Sequence, residues 1–208
     1  MKQKARALTL GAMALIISLA VSGSAPATIS GDPDFDGHWW SRVSLGERAG
    51  FVAGFYDCYT FDVRSSWHFE ARSLSAYRDS VSAYFDKDST RLADTIVSVL
   101  PRFADRPGER PPKGGEIWNE RHSYFDGDYW RQAFAAGGVG QQRCFVEGYL
   151  ACARQFVPRA KTSFLASSAA YVTKITRWYG FDAQTTDMTA SREKMKIADV
   201  LGRFRERK

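Results

Sequence analysis

Three carboxylates precede a glycine near the beginning of the chain, in the sequence Asp32-Pro-Asp-Phe-Asp-Gly37. Oxygen ligands at positions 1, 3 and 5, followed by glycine at position 6, are typical of an EF-hand calcium loop. That loop also requires a bidentate Glu at position 12, which in this chain is Val43. The pattern therefore favours an Asp-Gly turn that delivers Trp40 to the core rather than a calcium site.

Histidines and cysteines, the usual zinc ligands, are few and scattered along the chain. The three histidines are His38, His68 and His122, and no Cys-x-x-Cys pair or second close histidine accompanies any of them. The sequence also contains no Gly-x-Ser-x-Gly nucleophile motif, no Walker loop and no Cys-x-x-Cys-His haem motif. We therefore expect no metal site, no cofactor and no catalytic centre of a familiar kind.

Two acidic residues interrupt apolar stretches that are copies of each other. Asp57 lies in residues 51–58, and Glu147 lies in the matching residues 145–152. Each acid has an alanine at the equivalent position of the other copy. A charge that occurs in only one copy marks either an acquired function or a position that faces solvent. We take Asp57 and Glu147 as candidate binding residues; a carboxylate pair that cleaves a glycan is the alternative, although the sequence does not select the pair.

Aromatic residues are abundant, with six Trp, nine Tyr and 14 Phe. Because such side chains bury large apolar areas, filling the core is their simplest role. The alternative is a surface on which a sugar or a peptide stacks. Trp39 and Trp40 are the candidate binding residues of this second kind.

The chain contains two copies of a longer pattern. Four blocks recur in the same order: residues 35–40 and 125–130, residues 51–58 and 145–152, residues 77–85 and 171–179, and residues 99–103 and 200–204. Between the copies lies a segment rich in proline and glycine, which disfavour regular structure. The predicted divisions are a signal peptide (residues 1–27), a first helical repeat (28–104), a linker (105–116) and a second helical repeat (117–208).

Each copy contains three stretches with helical periodicity. The first helix is expected to begin at Ser44, with Glu47 placed to complete a capping box, and its counterpart to cover residues 139–156. The second helices are expected over residues 74–85 and 163–179. The third helices share one apolar spacing, at Ile96, Val99, Leu100 and Phe103 and at Ile197, Val200, Leu201 and Phe204. The predicted fold class is all-α, with duplicated three-helix repeats packed as one helical bundle about a pseudo-twofold axis.

The N-terminal residues have the composition of a secretory signal peptide. Three basic residues precede the apolar run 7–21, and Ala25-Pro26-Ala27 offers small residues for cleavage before Thr28. The run is short for a membrane span, which needs about 20 residues. We therefore expect a periplasmic or secreted protein with no stable membrane anchor after cleavage; an uncleaved anchor is the alternative.

Removal of the leader changes the charge balance. The whole chain carries a formal charge of +6, and the leader contains three of its 29 basic residues and none of its 23 acidic ones, so the mature chain carries +3. So small an excess does not favour nucleic acid as a partner. The cluster Arg203, Arg205, Arg207 and Lys208 is expected to form a solvated tail.

Two helix glycines and the cysteines bear on how the copies pack. Glycine inside a helix costs about 1 kcal/mol relative to alanine, so Gly54 and Gly148 indicate that a ring or a second helix approaches each backbone closely. We expect the two helices to cross antiparallel at these glycines, which places Cys58 opposite Cys144 and predicts a disulfide between them. Parallel helices would instead place Cys58 near Cys152, and the absence of any disulfide is the third alternative.

The first glycine-containing helix resembles a short motif of a known family. Residues 50–57, Gly-Phe-Val-Ala-Gly-Phe-Tyr-Asp, are similar to the Gly-Tyr-x-x-Gly-x-x-Asp helix of Tai-type periplasmic immunity proteins. The resemblance implies a small exported helical protein that binds and neutralises a type VI secretion toxin. The duplication, the linker and the greater length set this chain apart from that family, and no binding residue is carried over.

These observations favour an exported, non-catalytic helical binding protein of the bacterial cell envelope. Its partner is expected to be a protein or another envelope component, and toxin neutralisation is the function that the resemblance implies. The alternative is an envelope hydrolase that acts on peptidoglycan or another glycan through Asp or Glu residues.

Overall fold

The computed structural model describes residues 35–63, 72–105, 125–158, 160–181 and 190–205 of the chain. These residues belong to one compact unit, and their regular structure is helical, with no strand among them. The all-α prediction is therefore confirmed for the described residues. The predicted signal peptide, the carboxylates before Phe35, His68, His122 and the linker after Asp105 lie outside the described residues.

The helices in chain order are α1 (Gly37–Arg42), α2 (Leu45–Phe61), α3 (Leu74–Asp86), α4 (Ile96–Val99), α5 (Gly127–Phe156), α6 (Ala160–Ser163), α7 (Ser168–Trp178), α8 (Ala190–Glu193) and α9 (Ile197–Arg203). Short 3₁₀ turns at Ser89–Ala93 and Leu100–Phe103 flank α4.

Polar side chains define where the helices begin. Ser44 forms the expected capping box before α2: its Oγ accepts a hydrogen bond from Glu47 N at 3.3 Å, and Glu47 Oε2 accepts one from Ser44 N at 2.8 Å. Ser73 and Ser167 cap α3 and α7, each by accepting from a backbone N–H at 3.2 Å. The cap at Ser167 makes α7 shorter than the helix predicted over residues 163–179.

The structure corrects the expected beginning of each copy. Residues 37–40, where the sequence predicts a turn, belong to α1, and Asp36 caps that helix by accepting from Trp39 N at 2.8 Å. Asp126 caps α5 in the same way, so α5 begins well before residue 139. The predicted start coincides instead with a kink at Gly138, whose φ of 62° glycine adopts at no steric cost.

The long helices α2 and α5 lie side by side at the centre of the molecule. A Cβ built on Gly50 would overlap the carbonyl oxygen of Gln141, and one built on Gly54 would overlap that of Phe145. Gly148 likewise lies against the backbone of α2. Because the partners advance together from Gly50 to Gly54 and from Gln141 to Phe145, the two helices run in the same direction. The predicted antiparallel crossing is wrong.

The parallel arrangement decides the cysteine pairing. Cys58 and Cys152 form a disulfide with their Cα atoms 6.2 Å apart, within the usual range for such a bond. Cys144, the partner expected for Cys58, is a buried free thiol. Because the helices are parallel, Cys58 and Cys152, which follow Gly54 and Gly148, lie toward the same end of the contact between α2 and α5. Cys144 precedes Gly148 and lies toward the other end. The predicted Cys58–Cys144 bond is therefore wrong, and the parallel alternative is observed.

The other helices surround this central pair and close one core. Helix α3 packs on α2 and α7 packs on α5, while α4 contacts α5 and α9 contacts α2. The last helices of the two sequence copies thus each touch the central helix of the opposite copy. Large aromatic side chains fill the space between the helices, among them Trp40, Trp130, Tyr77, Tyr149 and Tyr171. The interior role predicted for aromatic residues is confirmed for these five, each at most 2 % exposed.

Candidate functional site

Asp57, the first acidic candidate, lies in the middle of the core. It is fully buried, and neither carboxylate oxygen has a hydrogen-bond partner. The backbone N–H of Ala198 and the ammonium group of Lys196 favour its charged form, yet neither supplies a hydrogen bond of normal geometry. Asp57 cannot contact a macromolecular partner in this conformation, which corrects its assignment as a binding residue.

Burial raises the pKa of Asp57 well above its ordinary value of 3.8, because water no longer solvates the carboxylate. The positive charge of Lys196 opposes this shift, and the neighbouring carboxylates of Asp62 and Asp199 add to it. The uncharged acid is therefore the favoured form inside the core.

Asp57 makes the stability of the fold depend on pH in a definite direction. Between pH 3.8 and the raised pKa, the folded protein holds a proton that the unfolded chain has released, so the free energy of unfolding falls as the pH rises. Asp57→Asn is expected to remove this dependence of the free energy of unfolding on pH, which for one proton reaches about 1.4 kcal/mol per pH unit. Urea denaturation from about pH 4 to about pH 8 measures the difference.

Asp199→Asn is the matched control for this experiment. Asp199 is exposed, and its carboxylate is one of the charges that act on Asp57. The control variant is expected to keep the fall in stability with rising pH, because burial, the largest cause of the raised pKa of Asp57, is unchanged. Parallel stability curves for the wild type and the Asp57 variant would contradict a buried, protonated carboxyl.

Glu147, the second acidic candidate, is held by side chains of α5 and α7. It is 9 % exposed and accepts hydrogen bonds from Arg143 Nε at 2.7 Å and from Ser168 Oγ at 3.0 Å. Arg143 lies one turn earlier on α5, so the two form an i,i+4 salt bridge. Burial, followed by the charges of Glu147 and Glu47, raises the pKa of the Cys144 thiol beside it. These contacts give Glu147 a structural role.

The two tryptophan candidates have different surroundings. Trp40 is 2 % exposed and donates its Nε1–H to Ser82 Oγ at 3.0 Å, so it fills the core and cannot serve as a stacking surface. Trp39 is half-buried, with its ring centroid 5.0 Å from that of Phe35 and 5.3 Å from that of Phe51. Of the two, only Trp39 keeps part of its ring at the surface.

The end of α2 is joined to the C-terminal part of the chain by a cluster that the sequence did not predict. Tyr149 donates its hydroxyl hydrogen to Asp62, and the Arg205 guanidinium pairs with the same carboxylate at 3.1 Å. Arg205 also lies over the ring of Phe164. The expectation of a solvated tail is therefore wrong for Arg205, because this side chain bridges two helices.

An aromatic ring flanked by two arginines lies at the surface of the first copy. The guanidinium groups of Arg91 and Arg102 lie over the ring of Tyr84, at 4.6 and 5.3 Å from its centroid. Tyr84 donates its hydroxyl hydrogen to Asp94 and accepts a hydrogen bond from Arg102 at 2.9 Å. The hydrogen bond to the Asp94 carboxylate raises the pKa of Tyr84. This Tyr84 cluster (Tyr84, Arg91, Asp94 and Arg102) contains its own anion.

A second cluster of the same kind surrounds Trp178. The guanidinium groups of Arg192 and Arg203 lie over its ring, at 5.0 and 4.7 Å from the centroid. Neither arginine forms an ion pair with another described residue, and Trp178 Nε1 is buried without a hydrogen-bond partner. Met195 stands where the first copy has Asp94. This Trp178 cluster (Trp178, Arg192, Met195 and Arg203) has no internal anion.

The sequence analysis missed both clusters, although the signal was present in the repeat. Tyr84 aligns with Trp178, and Arg102 aligns with Arg203 within the blocks 99–103 and 200–204. The apolar spacing of those blocks indicated core positions, whereas the arginine shared by both copies indicated a surface position. An exposed arginine that recurs at equivalent positions is the feature that predicts such a cluster.

Within the described ranges, no group of three or more His, Cys, Asp and Glu side chains is arranged to hold a metal ion. No helix in those ranges is both long and apolar enough to cross a membrane. Comparison of the chain with protein-family models, with curated proteins and with solved structures finds no match. The candidate functional site is therefore defined by geometry alone, and it consists of the Tyr84 and Trp178 clusters.

Proposed function

We propose that this chain is an exported, non-catalytic binding protein of the bacterial cell envelope, whose partner is a protein or another envelope component. The signal-peptide pattern of residues 1–27 supports export to the periplasm or beyond. The Cys58–Cys152 disulfide supports export independently, because such bonds persist in oxidising compartments and are rare in the cytoplasm.

The observation that carries the binding function is the pair of surface clusters around Tyr84 and Trp178. Arginine, tyrosine and tryptophan are the residue types that most often dominate the affinity of protein interfaces. In each cluster a half-buried ring holds two guanidinium groups in place, so little side-chain freedom remains to be lost on binding. Arginines positioned in this way suit a partner that presents acidic groups.

Neither of the two acidic candidates supports glycan hydrolysis. A glycosidase needs two carboxyl groups that flank the substrate, separated by about 5 to 10 Å. Asp57 is enclosed in the core, and Glu147 is engaged by Arg143 and Ser168, so neither is placed to meet a substrate. Among binding functions we propose neutralisation of a secreted toxin, which the resemblance of residues 50–57 to Tai-type immunity proteins supports.

We also propose that the chain arose by duplication of one helical unit, with its halves related by a pseudo-twofold axis along α2 and α5. Hydrogen bonds at equivalent positions support this origin. They are Trp40 Nε1 to Ser82 Oγ (3.0 Å) and Trp130 Nε1 to Thr176 Oγ1 (3.1 Å), and Ile96 N to Phe35 O (2.7 Å) and Ile197 N to Phe125 O (2.8 Å). The reciprocal contacts of Gly54 with Phe145 and of Gly148 with Phe51 support the axis.

Partner capture from a periplasmic extract tests the proposed function. The mature protein, immobilised with its disulfide intact, is expected to retain one protein or envelope component in stoichiometric amount. Arg102→Ala combined with Arg203→Ala is expected to lower the retained amount at least about tenfold, because it removes one charged contact from each cluster. Quantitative mass spectrometry of the eluted material measures the change.

Arg42→Ala combined with Lys87→Ala is the matched control. It removes the same charge from exposed positions outside both clusters, and it is expected to leave capture unchanged. Failure to retain any stoichiometric partner, or equal capture by the two double variants, would contradict binding through the clusters.

A further inference from the structure

The two clusters differ in whether they contain an internal anion. In the Tyr84 cluster, Asp94 accepts the hydroxyl hydrogen of Tyr84. Asp94 N donates to Arg91 O at 2.9 Å, and Met195 N donates to Arg192 O at 3.0 Å, so both residues close the same backbone turn. The residue that closes this turn is Asp94 in the first case and Met195, which has no carboxylate, in the second.

The Trp178 cluster consequently contains donors without an acceptor. Trp178 Nε1 is buried and has no hydrogen-bond partner, although a buried N–H loses free energy when it is left unpaired. Arg192 and Arg203 are exposed and form no ion pair with any residue in the described part of the chain. Two guanidinium groups held over one ring repel each other unless an anion lies between or beside them.

We propose that the Trp178 cluster binds a carboxylate from an acidic segment of the protein partner, in the place that Asp94 occupies in the Tyr84 cluster. The proposal rests on the proposed binding function and names the chemistry of its ligand. Guanidinium groups match the geometry of a carboxylate and can bind it with two hydrogen bonds. The internal carboxylate of Asp94 is the reason for choosing this anion over phosphate.

The indole N–H of Trp178 provides a direct readout of this site. In a ¹⁵N–¹H correlation spectrum of the mature protein, its signal is identified by its loss in Trp178→Phe. A blocked peptide of alternating alanine and glutamate is expected to move this signal, whereas the same peptide with glutamine in place of glutamate is not. Arg192→Ala combined with Arg203→Ala is expected to weaken the peptide's binding at least about tenfold, and Arg42→Ala combined with Lys87→Ala is expected to leave it unchanged.

Met195→Asp is a second test, because it supplies the carboxylate from within the protein. The variant is expected to keep its helical content, while its thermal midpoint falls because Met195 packs partly buried against the core. By filling the site it is expected to lower the affinity for the glutamate peptide at least about tenfold. If this variant does not fold, the arginine double variant still decides the question.

Four results overturn the carboxylate site. They are a Trp178 signal that does not move, equal movement with the glutamine peptide, equal binding of inorganic phosphate at matched concentration, and a folded Met195→Asp variant that binds like the wild type. Equal capture of the periplasmic partner by the wild type and the Arg192/Arg203 variant would also overturn the site, while the binding function would stand. Absence of any captured partner would overturn the binding function, and the peptide titration would still decide the site.

Discussion

Replacing Gly54 with alanine is expected to lower the free energy of unfolding by about 3 kcal/mol or more. A Cβ at this position would overlap the carbonyl oxygen of Phe145 and lie 2.9 Å from Tyr149 N. These are backbone atoms of α5, so no side-chain rotation relieves the overlap and the central helices must separate. Gly148→Ala meets the backbone of Phe51 and is expected to have a similar effect. Urea denaturation followed by circular dichroism measures both losses.

Gly202→Ala is the control for these glycine variants. Gly202 lies in α9, and a Cβ built on it has no other atom within 4 Å. Alanine there is expected to raise the free energy of unfolding by up to about 1 kcal/mol, because alanine favours the helix over the unfolded chain. A Gly54→Ala protein as stable as this control would show that α2 and α5 do not approach each other at Gly54.

Removing the Cys58–Cys152 disulfide is expected to lower the free energy of unfolding by about 4 to 5 kcal/mol. The bond joins residues 94 positions apart, and in the chain-entropy model closing so long a loop strongly restricts the unfolded chain. Cys58→Ala combined with Cys152→Ala removes the bond without leaving a reactive thiol at either position. The shift of the urea midpoint against the oxidised wild type measures the loss.

Cys144→Ala is the control for the disulfide variant. Cys144 is a buried free thiol, so its replacement removes only a small amount of packing and is expected to cost about 1 kcal/mol. A loss for Cys144→Ala as large as that for the double variant would indicate that Cys144, rather than Cys152, is the bonded partner.

The helix starts could be predicted because their signals are local. Ser44 precedes an apolar helical stripe, and its side chain caps α2 as the sequence predicts. The third apolar stripes likewise predicted α4 and α9 from spacing alone. Spacing did not distinguish a turn from the short helix α1, because Asp36 followed by glycine suits both.

The direction of packing could not be predicted in the same way. Gly54 and Gly148 allow close approach of two helices whether these run parallel or antiparallel, so the glycines alone do not select a cysteine pair. The choice depends on contacts between segments far apart in sequence, such as α4 with α5 and α9 with α2. The burial of Asp57 has the same origin, because Ala198 and Lys196, which lie near it, belong to the end of the chain.

Clusters formed by side chains from distant segments could not be predicted from local sequence patterns either. Arg192 and Arg203 meet over Trp178 only after α7, α8 and α9 have packed together. The two sequence copies nevertheless contain the information, since the arginines and the ring recur at equivalent positions. The difference between Asp94 and Met195 becomes visible only when the backbone turns that these two residues close are compared.

The parallel pairing of α2 and α5, together with the proposed export of the chain, is tested most directly by mass spectrometry of the unreduced protein. Trypsin leaves Cys144 and Cys152 in one peptide, because no Lys or Arg lies between them, so a second cleavage after Glu147 is needed to separate them. We expect an N-terminus at Thr28, a peptide that links Cys58 to Cys152, and Cys144 unlinked. A Cys58–Cys144 link would contradict the parallel arrangement, and three free thiols would contradict the disulfide.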